Sequence, residues 1–228
     1  MKAIILAAGV GKRMRPLTFE KPKPMIEVAG APLLAHIIRS LPSEISELIL
    51  VIGYKGEMVK AYFSDAFEGR RVTYVWQEKA LGTGHALLLC KELLKPGERF
   101  VFMIGDDLHS PRALKLLVQK DLAMLVHEHP NPKEFGVVEV NDKNEIISFE
   151  EKPEAPKSNL VSPAVFVLDT RIFDYPMKMH AKGEYFAVDQ ISQMMKDHKF
   201  VVERSDFWLP IGYPEDLKKA EEYLKAKK

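Results

Sequence analysis

Cysteine is almost missing from this sequence: Cys90 is the one thiol in 228 residues. A lone cysteine excludes an internal disulfide and any cysteine-based zinc site. Its apolar surroundings, Ala86 to Leu94, make it a small buried hydrophobe. No apolar run is long enough to cross a bilayer, and no basic leader or cleavage site precedes the first apolar stretch. These absences predict a cytoplasmic protein. An excess of one charge is missing too: the net charge is +1, and only the mixed tail Lys218 to Lys228 concentrates charge. That balance gives no support for a nucleic-acid or membrane partner. Internal repeats and low-complexity linkers are also lacking. The remainder is an ordinary globular composition, 46% apolar and 29% charged, enough for one domain or one with a small appended lobe.

The densest signal follows the first apolar run. Ala3-Ile4-Ile5-Leu6 has the length and β-branching of a buried parallel strand. It breaks directly into Ala7-Ala8-Gly9-Val10-Gly11-Lys12-Arg13-Met14-Arg15-Pro16-Leu17-Thr18, with Lys21-Pro22-Lys23-Pro24 behind. Two glycines after a strand let main-chain N–H groups approach a phosphate closely. Arg13 and Lys23 add positive charge. The dinucleotide pattern G-x-G-x-x-G fails, because Met14 stands at its third glycine, and a Walker loop fails for want of a Gly-Lys-Ser/Thr ending. A glycine-rich turn with incidental basic residues is the plainer alternative.

Apolar spacing predicts helices over residues 32–41, 56–63, 84–94, 110–117, 187–198 and 214–225. Strands are expected at 48–53, 72–77, 100–107, 122–126 and 160–168. A β-hairpin is expected from 135–140 and 145–150 around Asn141-Asp142-Lys143-Asn144. Strands alternating with helices specify an α/β fold, a parallel sheet with helices on both faces. Ligands of such sheets lie beyond the carboxyl ends of the strands. Gly9, Gln77 and Asp106 each follow a different strand at that end, so they should share a cleft. His36, among apolar neighbours, reads as a partly buried helix residue.

Gln77-Glu78-Lys79-Ala80-Leu81-Gly82-Thr83-Gly84-His85-Ala86 leads from a strand into a helix. A glutamine amide pairs a donor with an acceptor, as reading a base edge requires, and Gly82 and Thr83 would add backbone contacts. A helix entry capped by Thr83 is the alternative. Gly105-Asp106-Asp107 ends a strand beside the phosphate loop, where a carboxylate suits Mg²⁺, which takes one or two carboxylates plus phosphate oxygens. An acidic turn would look the same. Glu150-Glu151-Lys152-Pro153, taken alone, is a solvated turn.

The long, gapless opening L-A-A-G-x-G-x-R-M-x-P-L-T, followed by P-K-P, resembles the sugar-phosphate nucleotidyltransferases. The resemblance runs from Met1 to about Leu224. It implies a Rossmann-like, mostly parallel sheet with helices on both faces, plus a small β-rich sugar-binding lobe. It further implies one domain, with residues 1–107 binding nucleotide and 108–228 binding sugar phosphate. The implied reaction joins a nucleoside triphosphate to a sugar 1-phosphate with Mg²⁺ as cofactor and pyrophosphate as co-product. By the same resemblance Leu6, Ala7, Ala8, Gly9, Gly11, Lys12 and Arg13 contact the nucleotide, and Gln77, Gly82 and Thr83 read the base. Arg13, Lys23 and Asp106 carry the chemistry, with Asp106 on the metal and Asp107 a further candidate. Gly136 and Glu151 meet sugar hydroxyls (Glu150 in the other register), Lys152 holds the sugar phosphate, and Asn159 belongs to the same group. Leu-Gly-Thr-Gly-His-Ala most resembles the uridylyltransferase members and favours UTP. No hexapeptide-repeat domain follows, so acetyltransferase activity from one is not expected. Monomer and homo-oligomer both stay open.

Two stretches depart from the family pattern. Pro163-Ala164 stands where a polar residue and glycine are usual. Pro210 stands in Trp208-Leu209-Pro210-Ile211-Gly212-Tyr213-Pro214-Glu215-Asp216, where the pattern W-x-D-[IT]-G-T-P-E-D carries its second metal aspartate. Asp107, Asp189 and Asp206 are carboxylates available as substitutes. These departures keep two alternatives beside the enzyme: a nucleotide-binding regulatory paralogue, and a cytidylyltransferase acting on a non-sugar phosphate such as phosphocholine.

Overall fold

The computed structural model describes residues 1–181 and 183–227. Its first half holds β1 (Lys2–Ala7), the small pair β2 (Glu27–Val28) and β3 (Ala31–Pro32), and α1 (Leu33–Ser40). Then come β4 (Glu47–Ile52), α2 (Gly56–Phe63), β5 (Ala66–Phe67), β6 (Arg70–Trp76), α3 (Gly82–Leu88) and β7 (Arg99–Ile104). The second half continues through β8 (Asp107–His109), α4 (Pro111–Leu117), β9 (Ala123–Glu128), β10 (Gly136–Val140), β11 (Ile146–Glu151), β12 (Leu160–Ser162) and β13 (Val165–Asp169). It closes with α5 (Ala187–Asp197), β14 (Val201–Arg204), β15 (Trp208–Pro210) and α6 (Asp216–Ala226). No helix among the described residues is long and apolar enough to cross a membrane.

An eleven-stranded sheet runs β11-β10-β12-β9-β13-β7-β1-β4-β6-β5, with β14 added to β9. Its centre, β7-β1-β4-β6, is parallel, built from the continuous apolar runs that burial on both faces requires. Alternation along β1 sends Ala3, Ile5 and Ala7 to one face and Ile4 and Leu6 to the other. The first face is covered by α1, α2, α4 and α6, and the second by α3 and α5. Antiparallel strands β9 to β13 extend the same sheet, so the hairpin half is joined to the parallel half through hydrogen bonds.

Strand 160–168 is broken. Between Val161, opposite His127, and Phe166, opposite Met124, the chain carries two residues more than β9 does, Pro163 and Ala164. Ala164 takes φ +56°. Beyond the break the strand exchanges β10 for β7 as its other neighbour: Ser162 pairs Gly136 and Val165 pairs Met103. The carboxyl end of β7 is thereby brought next to the start of β10.

Other boundaries move for local reasons. The 84–94 helix starts at Gly82 and ends at Leu88, and residues 91–93 form a separate 3₁₀ turn. The 100–107 run ends at Ile104, turns at Gly105-Asp106 and restarts as β8. Pro32 closes β3 and precedes α1 rather than opening it, and α6 starts at Asp216 rather than Pro214. Ser110 caps α4, its hydroxyl accepting from Ala113 N at 3.3 Å. The expected hairpin is present, and its turn is held by Asn141 Oδ1, which accepts from Lys143 N at 2.9 Å and Glu145 N at 3.0 Å.

Candidate active site

The loop after β1 is anchored from three sides. Gly11 takes φ +63°, with Thr18 Cγ2 and Lys23 Cβ only 3.0 and 3.1 Å from where a Cβ would stand. Thr18 Oγ1 donates to Gly11 O at 2.9 Å, and Tyr54 Oη donates to Thr18 O at 2.9 Å. Lys55 Nζ donates to Phe19 O at 2.7 Å and Glu20 O at 2.8 Å. Gly9 is different: a Cβ there would meet nothing within 4 Å. The packing of the protein gives no steric reason for that glycine. Lys12 and Arg13 are exposed on the same turn, while Leu6 and Ala7 are buried and Ala8 is half-buried.

The strand ends converge as the topology requires. Gly105 N donates to Leu6 O at 2.9 Å, Tyr54 N to Ala8 O at 3.3 Å, and Gln77 N to Ile52 O at 2.8 Å. Gly53 lies between Ala8 and Gln77, a Cβ on it coming within 3.1 Å of both. Buried Gln77 turns its amide nitrogen onto Gly82 O at 2.9 Å and His85 Nδ1 at 3.1 Å. Its amide oxygen has no partner among the described residues. Gly82, at φ +88°, lies against the backbone of Tyr185, and Thr83 Oγ1 accepts from Ala187 N at 3.0 Å. Thr83 therefore caps α5, not its own helix, and ties the turn at Gly82 to the second half of the chain.

Lys23 and Asp106 meet at the centre. Lys23 Nζ donates to Asp106 Oδ2 at 2.8 Å, with the lysine side chain 9% and the carboxylate 32% exposed. Asp107 points elsewhere. Its Oδ2 accepts from Trp208 Nε1 at 3.0 Å and its Oδ1 from Ile211 N at 3.1 Å. Burial, reinforced by the Asp106 charge, pushes its pKa up to about 7. The two oxygens of Asp107 thus hold Trp208 of β15 and Ile211 just after that strand, and within β15 Pro210 lies opposite Asp107. Pro210 occupies a place beside the acidic turn and offers it no side-chain oxygen. Of the other carboxylates, Asp189 pairs with His180 at 2.6 Å, and a hydrogen bond from Ser110 lowers the pKa of Asp206. No group of three His, Cys, Asp or Glu side chains suited to a metal occurs among the described residues.

Register separates the two glutamates. Gly136 pairs Glu151 and Val137 pairs Glu150, so Glu151 shares the face of Gly136. A Cβ on Gly136 would lie 3.0 Å from Glu151 Oε2 and 2.6 Å from the Phe149 ring. Partial desolvation, opposed by the Lys152 charge and aided by that of Asp189, raises the pKa of Glu151, whose side chain is half exposed. Lys152, at φ +49°, keeps its amine in solvent 3.9 Å from Glu151. Asn159 is exposed, and its carbonyl accepts from His129 N at 2.9 Å. No hydrogen bond or ion pair joins this set to Asp106 among the described residues. Trp208 spans the gap, bonded to Asp107 on one side and packed 5.1 Å from the Phe135 ring, beside Gly136, on the other.

The nucleotidyl transferase family matches residues 2–227. The chain belongs to that family. The bifunctional protein GlmU of Methanocaldococcus jannaschii is 36% identical over 227 residues, 98% of this chain and 54% of the relative. This chain spans about half the length of the GlmU relatives it matches. The UTP–glucose-1-phosphate uridylyltransferase AglF of Haloferax volcanii is 36% identical over 236 residues, 98% of this chain and 96% of AglF. A Bacillus anthracis structure assigned as a glucose-1-phosphate thymidylyltransferase, in complex with sucrose, superposes with TM-score 0.85 at 28% identity, covering 98% and 94% of the two chains. A UDP-glucose pyrophosphorylase complexed with UDP-glucose shares the fold, with TM-score 0.87 at 22% identity and 100% and 99% coverage.

Several residues that shape this nucleotidyl transferase carry no sequence signal toward a site. Tyr54 and Lys55 follow a strand as any loop does, yet they brace the turn after the glycine loop at Thr18, Phe19 and Glu20. Tyr185 sits against Gly82 and Gly84, whose closeness to another backbone is the only hint, since a glycine pair there admits a neighbour without side-chain clash.

Proposed function

We propose that this nucleotidyl transferase moves a nucleotidyl group from UTP to a hexose 1-phosphate, giving a UDP-sugar and pyrophosphate. The observation that carries the reading is the Lys23–Asp106 pair at 2.8 Å on the lip of a glycine loop whose Gly9 has open space before it. A sugar 1-phosphate oxygen attacks the α-phosphorus. The bond from that phosphorus to the bridging oxygen breaks, and pyrophosphate leaves from the opposite side. No protein nucleophile is needed, so positioning and charge supply the rate.

Loop amides at Gly9 to Lys12, with Arg13, hold the β- and γ-phosphates. Lys23 stabilises charge gathering at the α-phosphate. Gln77 presents an acceptor oxygen, because its nitrogen is already bonded to Gly82 and His85. An acceptor reads an N–H edge, which uracil N3 supplies and cytosine N3 does not. Gly82 and Thr83 form the turn against which the base lies. Glu151, facing out beside Gly136, accepts from sugar hydroxyls, Lys152 meets the sugar phosphate, and Asn159 flanks them. The names of AglF and of the thymidylyltransferase structure support a hexose 1-phosphate acceptor.

Asp106 fits Mg²⁺: Lys23 occupies one oxygen, the other has no protein bond among the described residues, and phosphate oxygens complete such a shell. When bound, the ion neutralises phosphate charge and the departing pyrophosphate. Asp107 supports Asp106 by fixing β15 rather than as a ligand.

Pro210, beside the acidic turn, favours a second reading, a regulatory paralogue that binds nucleotide without turnover. Pyrophosphate release with Mg²⁺, each triphosphate being paired with a panel of sugar 1-phosphates and phosphocholine, separates the readings. UTP with a hexose 1-phosphate is the expected pair. Binding without release for every pair supports the paralogue, and release only with CTP and phosphocholine supports the cytidylyltransferase.

A further inference from the structure

We propose that Tyr213 is a positioning residue for Arg13, holding its guanidinium by a ring face so that its N–H groups stay free for phosphate. This inference rests on the phosphate role of Arg13 proposed above. Arg13 Cζ stands 5.4 Å from the centroid of the Tyr213 ring, within cation–π range. Among the described residues Arg13 has no carboxylate partner. The ring is on a fixed platform: Asp216 Oδ2 accepts from Gly212 N at 3.0 Å and Tyr213 N at 2.9 Å. Gly212 lies against the same guanidinium, a Cβ there standing 3.7 Å from Arg13 Nη1 and 3.9 Å from Asp216 Oδ2.

An arginine on an exposed turn turns about several side-chain bonds and has many rotamers. A carboxylate would fix it but would occupy the same forked N–H donors that a phosphate needs, and would offset its charge. An aromatic face restrains the guanidinium plane and leaves the edge donors available. Tyr213 is itself 49% exposed, so the face it offers Arg13 is open to solvent. The segment from Trp208 to Asp216 thus serves the site through an aromatic ring, where Pro210 offers no charge.

The test compares UTP and UMP binding by calorimetry in wild type, Y213F, Y213L and R13A, and in R13A combined with Y213L. UMP lacks the β- and γ-phosphates, so it reports on the rest of the site. Y213L should weaken UTP binding about threefold to tenfold, leave UMP within about twofold, and melt with wild type. Y213F keeps the ring and should restore UTP binding to within about twofold of wild type. Against R13A, adding Y213L should cost nothing further. Wild-type UTP affinity in Y213L, with R13A clearly weakened, overturns this inference alone, as does an undiminished Y213L effect in the R13A background. Unchanged UTP binding in R13A overturns the phosphate role of Arg13, and this inference with it.

Discussion

Gly9 and Gly11 are two residues apart and should respond in opposite ways to the same methyl group. At Gly11 the backbone is left-handed, φ +63°, which costs an L side chain about 1–2 kcal/mol. The new Cβ would also press on Thr18 Cγ2 at 3.0 Å and Lys23 Cβ at 3.1 Å, and both atoms belong to the packed interior of the loop. Gly11→Ala should therefore lose about 1–3 kcal/mol of stability. At Gly9 nothing lies within 4 Å, and φ is outside the strained range. Gly9→Ala should leave stability unchanged or raise it by about 0.4–1 kcal/mol, through the loss of unfolded-state freedom. Its methyl, however, stands where phosphate would approach the amides. Losing one charge-assisted hydrogen bond, about 1.5–3 kcal/mol, weakens UTP binding about tenfold to a hundredfold. Urea denaturation and calorimetric titration with UTP measure both quantities on the same samples. Tight UTP binding by Gly9→Ala would sink the claim that this loop faces the phosphates.

Three further outcomes follow from the geometry. Lys23→Ala should lower kcat about 10²–10³-fold in the pyrophosphate assay, and a change of only a few-fold would remove Lys23 from the chemistry. His109 is buried with neither ring nitrogen bonded to protein, and burial draws its pKa down to about 4. Because the unfolded imidazole protonates near pH 6.5, that stability is present above 6.5 and is lost as pH falls, by about 2 kcal/mol between pH 7 and pH 5. His109→Leu should lack this component, and a denaturation midpoint that keeps the wild-type pH slope would refute the assignment. Thr83→Val removes the acceptor at the first turn of α5 and should cost about 1 kcal/mol in thermal melts; no loss would mean that Ala187 N finds another partner.

What could be read directly from the chain was local and strongly patterned. Ala3–Leu6 and Leu48–Ile52 are continuous apolar runs of strand length, and both are central parallel strands. The hairpin was marked by Asn141 and the turn around it. Residues 107–109 and 208–210 carried no such mark: each is three residues long, one holds two polar residues and the other ends in proline. They are strands because they pair with each other across about a hundred residues, which no local window contains. The choice between Glu150 and Glu151 likewise depended on register with Gly136, a property of two strands together. Gln77 stood out as a candidate base-reading amide, but the engagement of its nitrogen by Gly82 and His85 appears only once the turn closes on it.

The interruption at Pro163-Ala164 sets a rule for how this site can change. Two extra residues preserve the alternation of the strand, so Leu160 before the break and Phe166 after it face the same core. Inserting or deleting one residue there would turn every later side chain of β13 to the wrong face, whereas a change of two would not. The spacing between the acidic turn after β7 and the glycine that opens β10 is therefore quantised. Descendants of this chain, natural or designed, can lengthen or shorten this strand without inverting its faces only in paired steps.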